Sequence, residues 1–294
     1  MNQFKTVALL GLLSGLLVSI GYGLGGSGGA LMGLIVAAVT NLGSWYFSDK
    51  IALAAYGAQP VEPHQAPELY RMVERLCERA NLPMPALYMV PTSGANAFAT
   101  GRDPDHAAVA VTEGIVRLLP EDELEAVIAH ELSHVYNRDT LTQAVAATIA
   151  GAITFLAQIA MWFGGSFRDE EGQGANPVAL LLTMFLAPIA ATVIQLAISR
   201  TREYGADAGA ARLTGNPRAL ARALQRLEAA ARQLPMDANP AFSPLLIVNP
   251  LAGAGSLFRN LMSTHPATED RIQHLLKLEQ ELGSNHQVGS FFRR

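Results

Sequence analysis

The sequence is short of cysteine and of charge, and each shortage removes a class of protein. Cys77 is the lone cysteine, so no internal disulfide can form; this fits a reducing compartment or a small buried apolar side chain. Charged residues are only 16% of the 294, and 21 Lys and Arg stand against 25 Asp and Glu, for a net charge of −4. That balance offers no basic stripe, which sets nucleic acid aside as a partner. No internal repeat and no long low-complexity tract is visible. The excess lies in apolar residues, half of the chain, and they are gathered in runs.

Two nearly uncharged runs, residues 4–24 and 30–47, are separated by Gly25-Gly26-Ser27-Gly28-Gly29. Each approaches the ~20 residues that a spanning helix needs, and together they read as a transmembrane hairpin. A cleaved signal peptide is the alternative for the first run, but a second run follows it at once. Residues 141–163 and 178–198 form another pair around a short polar loop. Polar Thr142, Gln143, Thr154, Gln158 and Gln195 dilute this pair, so a buried hairpin of a soluble protein is its alternative. Lys5, Lys50, Arg138, Arg200 and Arg202 flank one side of the spans and only Arg168 the other, which predicts both termini in the cytoplasm of a multi-pass membrane protein. The expected organisation is a transmembrane hairpin over 1–49, the first part of a cytoplasmic domain over 50–140, a second hairpin over 141–198, and the rest of the domain over 199–294.

In the soluble parts, Leu69, Met72, Val73 and Leu76 keep the spacing of an amphipathic helix over Ala66 to Ala80, stopped by Asn81-Leu82-Pro83. Ala86–Val90 and Ala107–Thr112 read as two strands joined by a loop containing Asn96-Ala97-Phe98-Ala99. Pro120-Glu121-Asp122-Glu123 opens a further helix, its acidic first turn matching the helix dipole, and Leu124, Val127, Ile128, Leu132 and Val135 continue its apolar face. The expected fold is an α-helical membrane protein with a mainly α, α+β cytoplasmic domain carrying a small sheet.

That helix carries His130-Glu131-Leu132-Ser133-His134, an H-E-x-x-H motif. One helical turn separates the histidines, so both imidazoles leave the same face within reach of one zinc ion. Glu131, beside that face, is placed to act as general base on a water rather than to ligate. A hydrolytic zinc takes three protein ligands and keeps a position open, and Asp139, Glu203, Asp207 and His265 are the candidates for the third. If the second pair of spans continues as helices, His134 stands about 10 Å beyond one and Glu203 about 8 Å beyond the other, which favours Glu203. Asp207, one turn after Glu203, is then placed to hydrogen-bond a ligand histidine. One Zn2+ per chain is the expected cofactor. A backbone edge at the Asn96, Ala97, Phe98 loop or at Val109 would suit strand addition by an extended polypeptide substrate.

With Ser199-Arg200-Thr201-Arg202-Glu203-Tyr204-Gly205-Ala206-Asp207 added, nearly the whole chain resembles the HtpX-type bacterial membrane zinc metalloproteases, in the wider family that includes the CAAX prenyl proteases. The amino-terminal hairpin, the Asn96-Ala97-Phe98-Ala99 loop, the H-E-x-x-H helix, and Ser263-Thr264-His265-Pro266 followed by Arg271-Ile272 carry the likeness too. The resemblance implies a gluzincin-like fold, zinc held by His130, His134 and Glu203, and catalysis by Glu131. It further implies that His265 and Arg271 lie near the cleft, and that misfolded or surplus membrane proteins are degraded under stress. Two rivals keep part of this picture: processing of one lipidated or signal-bearing peptide, and a scaffold whose zinc only ties helices together. Residues 235–250 read as a loop over the cleft.

Overall fold

A computed structural model describes residues 2–150, 153, 200–233, 242, 245–248 and 266–291. The first element, α1 (Asn2–Tyr46), is two helical arms joined at a break where Gly25 and Gly26 leave helical geometry. Gly26 has φ 60, a left-handed conformation that glycine adopts without penalty. The arms fold back on each other at Gly21 and Gly29, whose backbones approach too closely for a Cβ on either. Farther along, Asn41 Nδ2 donates to Leu10 O at 3.2 Å and to Ser14 Oγ at 2.8 Å, a polar tie between the arms. The arm Gly25–Tyr46 is long and apolar enough to cross a membrane, by length and composition.

After α2 (Ser48–Ala55) come β1 (Gln59–Pro60), α3 (Pro67–Ala80), β2 (Ala86–Val90), β3 (Ala97–Gly101), a 3-10 turn (Pro104–His106) and β4 (Ala107–Thr112). Helix α3 ends as its sequence predicts, with Asn81 left-handed at φ 51. The strands form one mixed sheet in the order β1-β2-β4-β3, with β2 and β4 parallel and both outer pairs antiparallel. The expected strands β2 and β4 have the expected bounds. The stretch Asn96 to Ala99, expected as a loop, is a correction: from Ala97 onward it is strand β3 and forms the sheet edge. Ala97-Phe98-Ala99-Thr100-Gly101 has little β-branched signal of its own, and its pairing with β4 overrides that weak propensity.

Helices α4 (Glu113–Leu118) and α5 (Glu121–Tyr136) follow, then α6, described over Thr140–Ala150. Beyond the gap stand α7 (Arg200–Thr214), α8 (Pro217–Gln233) and α9 (Thr268–Phe291). The expected span 178–198 and loop 164–177 lie outside the described residues, as does all of 154–163.

Both faces of the sheet are covered, and the alternation of side chains divides the core in two. Leu87, Ala97, Ala99, Val109 and Val111 join the core built with α3, α5, α7, α8 and α9. Val90, Phe98, Ala108 and Ala110 join a second core with Leu9 and Leu13 of α1, Leu53 of α2 and Val145 to Ile149 of α6. The sheet therefore lies between the helices of the candidate site and the apolar helices of the hairpin region. The described architecture is mostly helical with a small mixed sheet.

Candidate active site

The site is assembled by α5 and α7. On α7, Glu203, Ala206, Asp207 and Ala210 share a face by their 3–4 spacing, and all four are buried. The small side chains on this surface let the helices approach closely. At Gly209 the contact is tight enough that an added Cβ would run into the Ser133 side chain of α5. Close approach is what brings one carboxylate of α7 over the two histidines of α5.

His130, His134 and Glu203 each offer a ligand atom, and these atoms lie within 4.8 Å of one another. His130 Nε2 is 3.7 Å from Glu203 Oε2, and His134 Nε2 is 3.6 Å from Glu203 Oε1. The other nitrogens are held from behind. His130 Nδ1 is 3.0 Å from Asp207 Oδ1, and His134 Nδ1 is 3.1 Å from Asp139 Oδ2. An ionised carboxylate only accepts, so this network assigns a proton to each Nδ1 and leaves each Nε2 its lone pair.

The second of these supports was not legible beforehand, because Asp139 stands among the ligand candidates of the sequence. Its position follows from how α5 ends. Arg138 takes the left-handed conformation at φ 56, Arg138 N–H donates to Val135 O at 3.0 Å, and Asp139 N–H donates to His134 O at 2.9 Å. This pair of bonds is a Schellman motif, and it turns the chain so that Asp139 comes back beneath His134. Arg202 Nε stands 3.8 Å from Asp139 Oδ1. The only available signal was a helix-end pattern, and Arg138 is not the glycine that usually announces it.

Arg271, on α9, is as buried as the residues it serves, at 2% exposure. Its guanidinium forks onto Asp207, with Nη2 to Oδ1 at 2.6 Å and Nε to Oδ2 at 3.0 Å. Nη1 donates to Ile247 O at 3.3 Å and lies 3.9 Å from Glu203 Oε2. Arg271 thus anchors the carboxylate behind His130.

Glu131 is 3% exposed, and its Oε2 accepts from Ala99 N–H of β3 at 2.9 Å. Burial pushes its carboxyl up to about 8; His134 opposes the rise, Glu203 adds to it, and the Ala99 bond opposes it. His130 is moved down to about 4 by burial and then by Arg271, so it is neutral. Burial would raise Asp207, but Arg271 and the His130 bond outweigh it and hold the carboxyl at about 2. Burial works against charge on His134, yet the bond to Asp139 and the Glu203 and Glu131 carboxylates raise it. The Glu203, Glu131 and Asp139 carboxylates that raise His134 make a negative field that a bound cation would answer. Converging N, N and O donors in that field fit a divalent metal.

The residues expected to bind substrate are placed differently. Val109 belongs to β4, which is flanked by β2 and β3, so it has no open edge, and its side chain is core at 2% exposure. Strand addition at Val109 is thereby corrected. Phe98 is 1% exposed, turned into the second core against Tyr56 with ring centroids 5.1 Å apart. Asn96 spends its amide on the segment 245–248: Nδ2 donates to Val248 O at 2.9 Å, and Oδ1 accepts from Val248 N–H at 3.4 Å. Ala97 O accepts from Ile247 N–H at 3.1 Å. Asn96 and Ala97 thus hold the 245–248 segment as a wall, while Phe98 and Val109 are core. Residues 245–248, part of the expected loop over the cleft, are themselves buried. His265 lies outside the described residues.

Three comparisons bear on the family. The model of peptidase family M48 matches residues 63–279. The chain is 69% identical over 285 residues to a protease HtpX homolog of Trichormus variabilis, covering 96% of this chain and 98% of that one. It is 52% identical over 283 residues to a protease HtpX homolog of Pyrococcus furiosus, covering 95% and 96%. Its fold is similar to the crystal structure of S. mikatae Ste24p, with a TM-score of 0.51 at 20% identity over 93% of this chain; it spans 65% of that protein's length. Matched over most of its length by the family's model, and end to end by relatives that share half or more of its residues, the protein belongs to peptidase family M48 and is a metalloprotease.

Proposed function

We propose that the protein is a zinc endopeptidase of the cytoplasmic face of the inner membrane, anchored by two helical hairpins, that hydrolyses peptide bonds of misfolded or surplus membrane proteins and other unfolded chains. The observation that carries this is the convergence of His130, His134 and Glu203 beside a buried Glu131. Residues 1–49 and 141–198 are the membrane segments of this reading, and 50–140 with 199–294 build the peptidase domain, gluzincin-like in its ligand set.

His130, His134 and Glu203 would hold one zinc ion, with Asp207 and Asp139 orienting the histidines and Arg271 fixing Asp207. Zinc supplies Lewis acidity there, making a water more acidic and a peptide carbonyl more electrophilic. Glu131 is the proton carrier. The Ala99 N–H fixes Oε2, so the carboxylate presents Oε1 to the attacking water, takes its proton, and returns it to the leaving amine. Burial, which raises its affinity for a proton, helps Glu131 keep the proton between the two transfers. The backbone of β3 around Ala99 is where an extended substrate would lie, while His265 is the candidate donor to the oxyanion on the strength of the resemblance.

The test is cleavage of an unfolded protein by detergent-purified wild type and Glu131→Gln, with bound zinc quantified in both. Retained zinc with cleavage reduced by at least about 100-fold is the expected outcome. Equal cleavage by the two forms would remove Glu131 from the mechanism.

A further inference from the structure

The end of α1 carries features that the chemistry above does not use. Along the arm Gly25–Tyr46, Leu31, Met32, Val39 and Leu42 are 60%, 60%, 67% and 67% exposed, a bare apolar surface. It ends abruptly in three exposed aromatic residues, Trp45, Tyr46 and Phe47. Lys50 Nζ sits 5.5 Å from the centre of the Phe47 ring. Amphipathic rings followed by a cation, at the end of an apolar helix, are the composition that settles at the headgroup level of a bilayer.

The second observation ties this belt to the site. Arg102, the residue directly after β3, places its guanidinium 5.0 Å from the centre of the Tyr46 ring. Asp103 lies 3.6 Å from Arg102 Nε, and Asp105 and His106 at the tip of the same hairpin are exposed. Three residues back along β3, the Ala99 N–H is bonded to Glu131. At ~3.3 Å per residue that separation is at most about 10 Å. The face of the sheet opposite the site is also packed into a core shared with Leu9 and Leu13 of α1.

The geometry points to a fixed height for the site: the Trp45-Tyr46-Phe47-Lys50 belt and the β3–β4 hairpin tip lie in the phospholipid headgroup layer, and the substrate taken there is the juxtamembrane segment of a membrane-anchored polypeptide. This rests on the peptidase reading above and narrows its substrate. A segment emerging from the bilayer reaches Glu131 after roughly three extended residues, so anchored substrates are cut close to their spans. An unanchored chain meets no such ruler.

Two measurements test it. In a Glu131→Gln, Trp162→Phe protein reconstituted into phosphatidylcholine vesicles, Trp45 is the sole tryptophan. Its fluorescence is expected to be quenched most by lipids brominated near the glycerol end of the acyl chain. Quenching greatest at the bilayer centre, or none at all, overturns the placement. In parallel, zinc-loaded wild type in vesicles is given one unstructured tail, either fused to a single apolar span or free. Cuts within about six residues of the span in the anchored tail, and throughout the free tail, are expected. Cuts in the anchored tail that begin only beyond about fifteen residues overturn the proposal. If neither tail is cut, the peptidase reading fails, and the Trp45 quenching by itself decides whether the belt lies at the headgroups.

Discussion

At the scale of single residues, the site is a pair of histidines each steadied by a carboxylate. His130 leans on Asp207 and His134 on Asp139, at 3.0 and 3.1 Å. Such partners fix the tautomer and orientation of a ligand, and their loss typically weakens metal affinity about 10- to 100-fold. Asp139→Asn is expected to lower zinc affinity within that range, measured by chelator competition, with the fold kept; unchanged affinity would mean that the Schellman turn alone orients His134. The Asp207–Arg271 pair gives a pH dependence. The Asp207 carboxyl lies at about 2, below its ordinary 3.8, so its contribution to stability is complete above 3.8 and is lost as pH falls through about 2. Acid unfolding of the metal-free protein should steepen in that window. Arg271→Gln removes the group that depresses Asp207, so the loss should begin at higher pH, and an acid midpoint identical to wild type would count against the pair.

At the scale of elements, the sheet explains why one expectation about substrate fails and what replaces it. The alternating β4 sequence looks equally suited to an edge or a centre, because strand propensity reports fit to a pleated surface and not position in the sheet. With β2 on one side and β3 on the other, Val109→Pro disrupts a central ladder. Proline there removes a ladder hydrogen bond and is essentially confined to edge strands, so the variant should lose its cooperative thermal transition as well as its activity. A well-folded but inactive Val109→Pro would restore β4 as a substrate strand. The H-E-x-x-H helix, by contrast, was legible with its neighbours, since acidic first-turn residues and a 3–4 apolar spacing are local properties of the sequence.

At the scale of the whole molecule, the sheet is shared property. One face serves the site, and the other is packed with the first hairpin and α6. Removing residues 1–49 should therefore do more than release the protein from membranes. It uncovers part of the core containing Val90, Phe98 and Ala110, and the fragment is expected to aggregate or to lose zinc when expressed without detergent. A monomeric, zinc-loaded fragment would show that the two cores are energetically separate.

The sequence by itself determined the helices of the site, the strands β2 and β4, and the chemistry that the site helices carry. Helical spacing placed His130, Glu131 and His134 on one turn, the spacing of Glu203 and Asp207 put both on one face, and the shortage of charge marked the apolar hairpins. These are regularities of period 3.6 or of composition, readable without knowing what packs against what. Only the tertiary structure decided which carboxylate backs which histidine, that Arg271 is consumed by Asp207, that β3 and not β4 is the edge, and that Asn96 and Phe98 are wall and core. Each of those depends on contacts between residues far apart in the chain, from Ala99 with Glu131 to Asp207 with Arg271, and neither propensity nor spacing carries that information.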